Sequence, residues 1–538
     1  MYLTIMRPGK KYLMNMKMND IDVKNINKIN NKTFFSAIVI SFGVMLSKIF
    51  GLLRDMVFAS FLGTGIIAEA FYVAFRLPNT FRRIFAEGAM SNAFVPFFAT
   101  KVKINKQEAN IFSGQILLFL CIILFFFTII LEIFMPEVIS IINPGFLNDN
   151  NKFQLAVKFS RISLPYIICI SIASFFGSIL NSIGSFWQFA SISVILNIVM
   201  IVGLWLTNNF FSNAGECLVW MMIIGGLIQL LLLGYSCIKR QVFPTLNIKE
   251  FLNDFKNSYI ELKQFFQKFL PAIVSSGILQ INIFVDGIFA SFFAGAMSYL
   301  YYTDRIGQFP LSLIGYSLSI AILPSLSLAF KNQNNKEISI LENKSICIAI
   351  FFSLPIMFII LSLSTPILSL IYERGAFTAN DTKNVAIMLS IYAISIPFNI
   401  LLKICFSCFY ANKETKTPMK ISIISLILNV IVNLAIFKIV GMYCVIIATT
   451  ISAIVSCITA IAELKKKQMF LISNITYFFS LKILIISIIS CFIMPLFLNR
   501  KLPLIINLSI CSIIYLLLCF AFRVLTKQFL FSILKKQK

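Results

Sequence analysis

The sequence predicts an all-α polytopic membrane protein with about fourteen transmembrane helices, each a stretch of roughly 20 apolar residues. Three observations predict it. Of 538 residues, 59% are hydrophobic and 12% charged, whereas a soluble domain carries about a quarter charged residues. So few charges cannot wet the surface of a soluble chain this long. The apolar residues also fall into runs long enough to cross a bilayer as helices, and Lys and Arg concentrate in alternate loops between those runs.

Taken in order, the chain opens with a polar, Asn-rich, basic segment over 1–33. It is too long and too polar for a cleavable signal and reads as a cytoplasmic tail. Spans follow at 34–62, 67–98, 111–135, 158–181, 187–207 and 217–238, giving an N-terminal lobe over 34–240. A basic cytoplasmic linker, 241–268, leads to spans at 269–295, 298–329, 344–371, 384–411, 419–437 and 442–463, a C-terminal lobe over 269–465. Two further spans, 476–498 and 503–526, lie in an appended segment over 470–530. The loops at 101–106, 239–268, 331–344, 413–420 and 463–467 are basic, as are both tails. Those near 63, 143–150, 208–216 and 295 carry few positive charges; 373–383 and 499–501 are minor exceptions. An even number of spans with both termini cytoplasmic satisfies the positive-inside rule.

The two lobes repeat. Arg54-Asp55-Met-Val-Phe-Ala-Ser-Phe-Leu-Gly63 matches Val285-Asp286-Gly-Ile-Phe-Ala-Ser-Phe-Phe-Ala-Gly295, with both aspartates three residues before Phe-Ala-Ser. Ser163-Leu-Pro165 is followed 32 residues after the proline by Asn197, and Ser395-Ile-Pro397 is followed 32 residues on by Asn429. Two six-helix halves of the same orientation are expected, with a substrate path between them. The last two helices have no partner in the repeat.

Composition excludes several functions. The chain has no histidine, which removes Ser-His-Asp and Cys-His catalysis, HExxH zinc sites and histidine haem ligation. It has neither a Walker A sequence nor a dinucleotide-binding glycine pattern. No enzyme is expected. The net charge of +25 sets orientation rather than binding nucleic acid, because most Lys and Arg flank spans or lie in the tails. Twelve cysteines sit mostly in apolar runs. The single CxxC pair, Cys405 and Cys408, reads as packing.

Charges within spans are costly and mark function. Span one holds Lys48, Arg54 and Asp55. Span two holds Glu69, Arg76, Arg82, Arg83 and Glu87, and Glu69, Arg76, Arg83 and Glu87 fall within about 40° of one another on a helix. Pro78 is placed to kink that helix. Asp304 and Arg305 follow in span eight and Lys403 in span ten. Such a stripe must line a polar cavity rather than face lipid. Arginine suits phosphate because its fork donates two parallel hydrogen bonds and stays ionised, so an anionic cargo is expected. The bland alternative is a set of interhelical ion pairs that hold the bundle.

Ala68-Glu-Ala-Phe-Tyr-Val-Ala-Phe-Arg-Leu-Pro-Asn79, Phe81-Arg-Arg-Ile-Phe-Ala-Glu-Gly-Ala89 and Ala93-Phe-Val-Pro96 closely resemble the MurJ (MviN) family of lipid II flippases. Tyr301-Tyr-Thr-Asp-Arg305, Phe309-Pro310, Leu323-Pro-Ser325, Gly375-Ala-Phe-Thr378 and Lys416-Thr-Pro418 continue the resemblance in order. It covers nearly the whole chain from about residue 35 and weakens over the last two helices. It implies a flippase carrying lipid II (undecaprenyl-pyrophosphoryl-MurNAc-pentapeptide-GlcNAc) from the cytoplasmic to the outer leaflet of a bacterial inner membrane, in peptidoglycan biosynthesis. The implied fold is that of the multidrug/oligosaccharidyl-lipid/polysaccharide exporter superfamily, working by alternating access, with membrane lipids and the cell-wall synthesis machinery as partners. Cavity residues carried over are Ser47, Arg54, Asn79, Arg82, Arg83, Glu87, Ser298, Asp304 and Arg305. Lys48 stands where many relatives have arginine and Glu69 where they commonly have aspartate, so the sign of charge is kept and the reach changes. The last two helices match the family's groove for the prenyl tail.

The resemblance also implies a sodium site, the one cofactor expected. Its ligands here would be Asp286, Asn429, Asn433, the Val445 carbonyl and Thr449. On the residues alone, the asparagines serve equally as interhelical hydrogen bonds. The alternatives are a flippase for another polysaccharide lipid or a drug/cation antiporter of the same superfamily, and a membrane-embedded enzyme or scaffold. A cation exporter calls for an acidic, aromatic cavity, against which the arginine stripe argues.

Overall fold

The structure is a computed structural model that describes residues 43, 45–83, 91–185, 187–207, 211–245, 263, 265–267, 269, 277, 280–469, 473–497 and 504–522. The described residues are overwhelmingly helical. In chain order the helices are α1 (45–62), α2 (Ile66–Arg82), α3 (Ser91–Ile104), α4 (Lys106–Ile133), α5 (Met135–Ile142), α6 (Asn150–Ser163), α7 (Tyr166–Ser182), α8 (Trp187–Trp205), α9 (Ala214–Lys239), α10 (Gln280–Ala290), α11 (Ala296–Pro310), α12 (Ser317–Lys331), α13 (Asn335–Tyr372), α14 (Ala379–Ala411), α15 (Lys416–Val440), α16 (Cys444–Lys466), α17 (Asn474–Phe497) and α18 (Leu504–Ala521). Among the described residues, eight helical stretches are long and apolar enough to cross a membrane, one of them (Lys416–Lys466) containing both α15 and α16. The expected count of fourteen falls partly on segments outside the described residues.

Helix starts are set by short polar side chains that accept from otherwise orphaned amides. Asn105 caps α4, Asp149 caps α6, Asn213 caps α9 and Asn334 caps α13. Thr378 and Asp381 form a reciprocal capping box at α14.

The helices gather into two bundles. α2 packs on α6, and α9 on α7 and α8; separately, α14 packs on α13 and α16, and α15 on α16. α1 joins the first bundle through Arg54 and Asn197, and α10 the second through Asp286 and Asn429. α17 and α18 lean on α13, where the buried Tyr515 hydroxyl donates to the Phe351 carbonyl at 2.9 Å. α2 and α11 are among the elements that meet between the bundles.

Several expected spans are broken. The one over 158–181 divides into α6 and α7 at Leu164–Pro165, because Pro165 offers no amide to the ladder. The one over 298–329 carries a π-helical turn, Leu311–Tyr316, directly after Pro310. In the one expected over 67–98, α2 ends at Arg82 and α3 begins at Ser91; residues 84–90, with Glu87, lie outside the described residues.

Candidate functional site: charges between the lobes

The centre of the site is a pair of adjacent residues on α1. Arg54 and Asp55 are 6% and 2% exposed, so each depends on partners to offset the cost of leaving water. Arg54 Nη2 and Nε donate to Asp55 Oδ1 at 2.7 and 3.1 Å, and Nη1 donates to Asn197 Oδ1 on α8 at 2.9 Å. Its guanidinium also lies over the rings of Phe58 and Phe75. From α11 of the other bundle, the Tyr301 hydroxyl donates to Asp55 Oδ1 at 2.6 Å, and Arg305 Nε stands 3.6 Å from Asp55 Oδ2. Asp55 thus ties the two lobes together. Unlike Asp55, the Arg305 side chain is 34% exposed.

Lys48 is exposed on α1, and its charge senses Arg305 and Arg83. Arg82 and Arg83 are half-buried at the end of α2, and Asp304 feels the charges of Arg76, Arg305 and Arg83. Ser47 is half-buried, and its carbonyl is 3.5 Å from Asn197 Nδ2. Asn79 is half-buried too, its amide turned back to the Phe75 carbonyl. Ser298 is fully buried, its hydroxyl without a partner among the described residues. Lys403 lies apart on α14, 4.6 Å above the Tyr316 ring in the π-helical turn.

Glu69 departs from the expected stripe. In the first turn of α2, its Oε2 pairs with Lys152 Nζ of α6 at 2.5 Å, and its Oε1 accepts from the Met297 amide at 3.2 Å. A carboxylate 2% exposed needs such partners at hand. Two helical turns separate it from Arg76, so it anchors the first turn of α11 rather than orienting arginines.

Above Asp55 the lobes are sealed. The Ala376 amide donates to the Ser60 carbonyl at 2.8 Å, and Thr64 Oγ1 to Asp381 Oδ1 at 2.6 Å. The Gly145 amide donates to Ser291 Oγ at 2.9 Å. Tyr72 stacks on Tyr301, and its hydroxyl donates to Tyr302, which donates to the Gly63 carbonyl. Gly63 holds a φ of +57° and Gly375 one of +56°; a Cβ at Gly375 would lie 2.3 Å from the Ser60 carbonyl oxygen. Only glycine permits both that conformation and that approach.

The side chains expected at the second site lie together. Asn429 Nδ2 donates to Asp286 Oδ1 and Thr449 Oγ1, each at 3.3 Å, and Thr449 Oγ1 is 3.4 Å from Asp286 Oδ1. Asn433 Nδ2 donates to Asn429 Oδ1 at 3.0 Å, while its own Oδ1 is buried without a partner among the described residues. Val445 is buried one turn before Thr449. This oxygen-rich set, with one carboxylate and an unused amide oxygen, fits a hard monovalent cation such as sodium. The repeat agrees. Asp55 and Asn197 are the counterparts of Asp286 and Asn429, and in the N-terminal lobe the Arg54 guanidinium bridges them. Position 285 is valine, so the C-terminal pair has no such built-in cation.

Residues that sequence reasoning left out of the site are Asp55, Asn197, Tyr301 and Lys152. The first two were visible in the repeat and Tyr301 in the Tyr-Tyr-Thr-Asp-Arg run. Lys152 carried no signal beyond a lone charge beside an Asn-rich loop.

Comparison with known proteins agrees with this architecture. The family model described as lipid II flippase MurJ matches residues 58–515. A probable lipid II flippase MurJ of Rickettsia prowazekii (strain Madrid E) is 39% identical over 403 residues, 74% of this chain and 78% of that protein. One from Rhizobium meliloti (strain 1021) is 36% identical over 403 residues, 73% of each chain. A solved lipid II flippase MurJ, in an inward closed conformation, superposes with a TM-score of 0.77 at 28% identity, covering 91% of this chain and all 100% of the other. An inward-facing multidrug resistance MATE family transporter of the MOP superfamily shares the fold alone, with a TM-score of 0.65 at 16% identity over 80% of this chain and 98% of that one.

Proposed function

The chain belongs to the lipid II flippase MurJ family, and we propose that it carries lipid II from the cytoplasmic to the outer leaflet of the bacterial inner membrane by alternating access between its lobes. It is a multi-pass membrane transporter. The observation that carries the direction is the pairing of a sealed end with part-exposed cations away from it, Lys48, Arg82, Arg83 and Arg305, which we read as lining a recess. The basic loops lie at the end opposite the seal, which the positive-inside rule assigns to the cytoplasm along with both termini. The recess therefore receives its cargo from the cytoplasmic side.

Arginine forks at Arg82, Arg83 and Arg305 suit a pyrophosphate, each able to donate two parallel hydrogen bonds. Asp304, among them, limits their mutual repulsion while the recess is empty. Asp55 holds Arg54 and Tyr301 and faces Arg305, so a pyrophosphate arriving at Arg305 competes with Asp55 for its guanidinium. That competition loosens the bond between the lobes, which is what a cargo must do to open the far side. The prenyl tail stays in lipid along α17 and α18. Membrane potential favours the crossing by about 2.3 kcal/mol per negative charge per 100 mV.

Sodium, when bound, supplies a positive charge that neutralises Asp286; Asp286, Asn429, Asn433, Thr449 and the Val445 carbonyl would hold it. Cell-wall synthesis enzymes are the partners this role implies.

Arg83→Ala and Arg305→Ala should each abolish growth of cells in which the variant is the sole copy, while membrane insertion stays normal. Lysine at either position should rescue only partly, because it lacks the fork. Normal growth on either alanine variant removes that residue from headgroup binding.

A further inference from the structure

Arg76 has been grouped with the cargo-binding cations, yet its contacts point elsewhere. It belongs to α2 of the N-terminal lobe, and its Nη1 crosses the lobe boundary to donate to the Ile283 carbonyl on α10 at 3.0 Å. The guanidinium lies against Gly287, the residue after Asp286; a Cβ there would stand 2.6 Å from Nη1. A second N-terminal group reaches the same glycine, Asn143 Nδ2 at 3.4 Å from its carbonyl oxygen. Asp304 and Asp286 are the acidic groups whose charge acts on Arg76, and Asp286 is also bonded to Asn429 and Thr449. The carboxylate therefore has two neighbours of opposite origin: a guanidinium from the other lobe, docked on the next residue, Gly287, and the polar side chains of its own lobe. In the repeat-related site the equivalent carboxylate, Asp55, has its cation built in as Arg54. Val285 leaves Asp286 to find one elsewhere, and two sources are at hand: Arg76 when the lobes are closed, and a free cation.

We propose that Arg76 is a tethered cation that couples closure of the lobes to the cation site: docked on Gly287 it disfavours sodium at Asp286, and withdrawn with the N-terminal lobe it admits it. The inference rests on the reading of Asp286, Asn429, Asn433 and Thr449 as a sodium site. Coupling is reciprocal, so sodium must loosen the docked arrangement by the same factor that docking weakens sodium. Arg76 is then a positioning residue. It acts where Ile283, Asn143 and Ser291 bring the lobes together, and it gives a bound ion a way to favour opening of the sealed end.

The test is a sodium titration of thermal stability on the purified full chain in detergent, with choline chloride holding ionic strength constant. Arg76→Gln keeps an amide donor for the Ile283 carbonyl and removes the charge. Gly287→Ala keeps every charge and crowds the guanidinium out. Both should lower the sodium midpoint by about fivefold or more, the lower edge of ordinary coupling between sites, and Arg76→Lys should leave it near the wild-type value. Asp286→Ala should abolish the sodium response. If Asp286→Ala abolishes it while Arg76→Gln and Gly287→Ala keep the wild-type midpoint or raise it, the coupling is wrong and the site stands. If Asp286→Ala leaves the response unchanged, the site itself is wrong.

Discussion

At the scale of single residues, buried charge decides what the chain tolerates. Glu69 and Lys152 are 2% and 6% exposed and pair at 2.5 Å, so removing one leaves the other uncompensated. Lys152→Met is expected to destabilise the protein by about 3–5 kcal/mol, seen as a lower melting temperature in detergent. The double variant Glu69→Gln with Lys152→Met should recover most of the loss; an unchanged melting temperature for Lys152→Met alone would mean the pair is not formed. The sequence announced Arg54, Arg83 and Arg305 as functional by their cost in a membrane. It could not announce their partners, because Arg54 meets Asn197 and Tyr301, 143 and 247 positions away. Glu69 illustrates the limit. Helical spacing put it on a face with Arg76 and Arg83, but a face is shared by several neighbours along its length, and α6 supplied the nearest cation.

At the scale of helices, hydropathy located the spans and short polar caps fixed their starts, both being local properties of the chain. Breaks within spans were harder to place. Pro165 and Pro310 were visible, yet whether a proline kinks a helix, splits it or introduces a π-helical turn depends on what neighbours can satisfy the freed carbonyls. The seal between the lobes depends on close backbone approach, and Gly145 is one of the points where it is tight. A Cβ there would lie 2.4 Å from the Ser291 carbonyl group. Gly145→Ala should therefore wedge the 143–149 turn away from α10 and shift the protein toward opening at this end. In a Ser291→Cys background, labelling by a membrane-impermeant maleimide from outside the cell should be slow while Gly145 is retained. Adding Gly145→Ala should make it several-fold faster. Equal rates would show that this contact does not limit opening.

At the scale of the whole molecule, the two-lobe repeat was the most informative feature of the sequence. It matches Asp55 to Asp286 and Asn197 to Asn429, and the structure links Asp55 with Asn197 through the Arg54 guanidinium and Asp286 with Asn429 directly. One lobe thus carries a fixed cation, and the other holds the site we propose for an exchangeable one, while the arginines gather between them. That division of labour is what a carrier of a lipid pyrophosphate needs: a cationic path for the headgroup, a lipid-facing side for the tail and a joint that can be rearranged. Its most direct test is the leaflet in which lipid II resides when the protein is removed. On depletion in cells, lipid II should accumulate on the cytoplasmic face and become inaccessible to an impermeant lipid II-cleaving enzyme added from outside, and re-expression should restore cleavage. Undiminished cleavage from outside after depletion would contradict a role for this protein in carrying lipid II across the membrane.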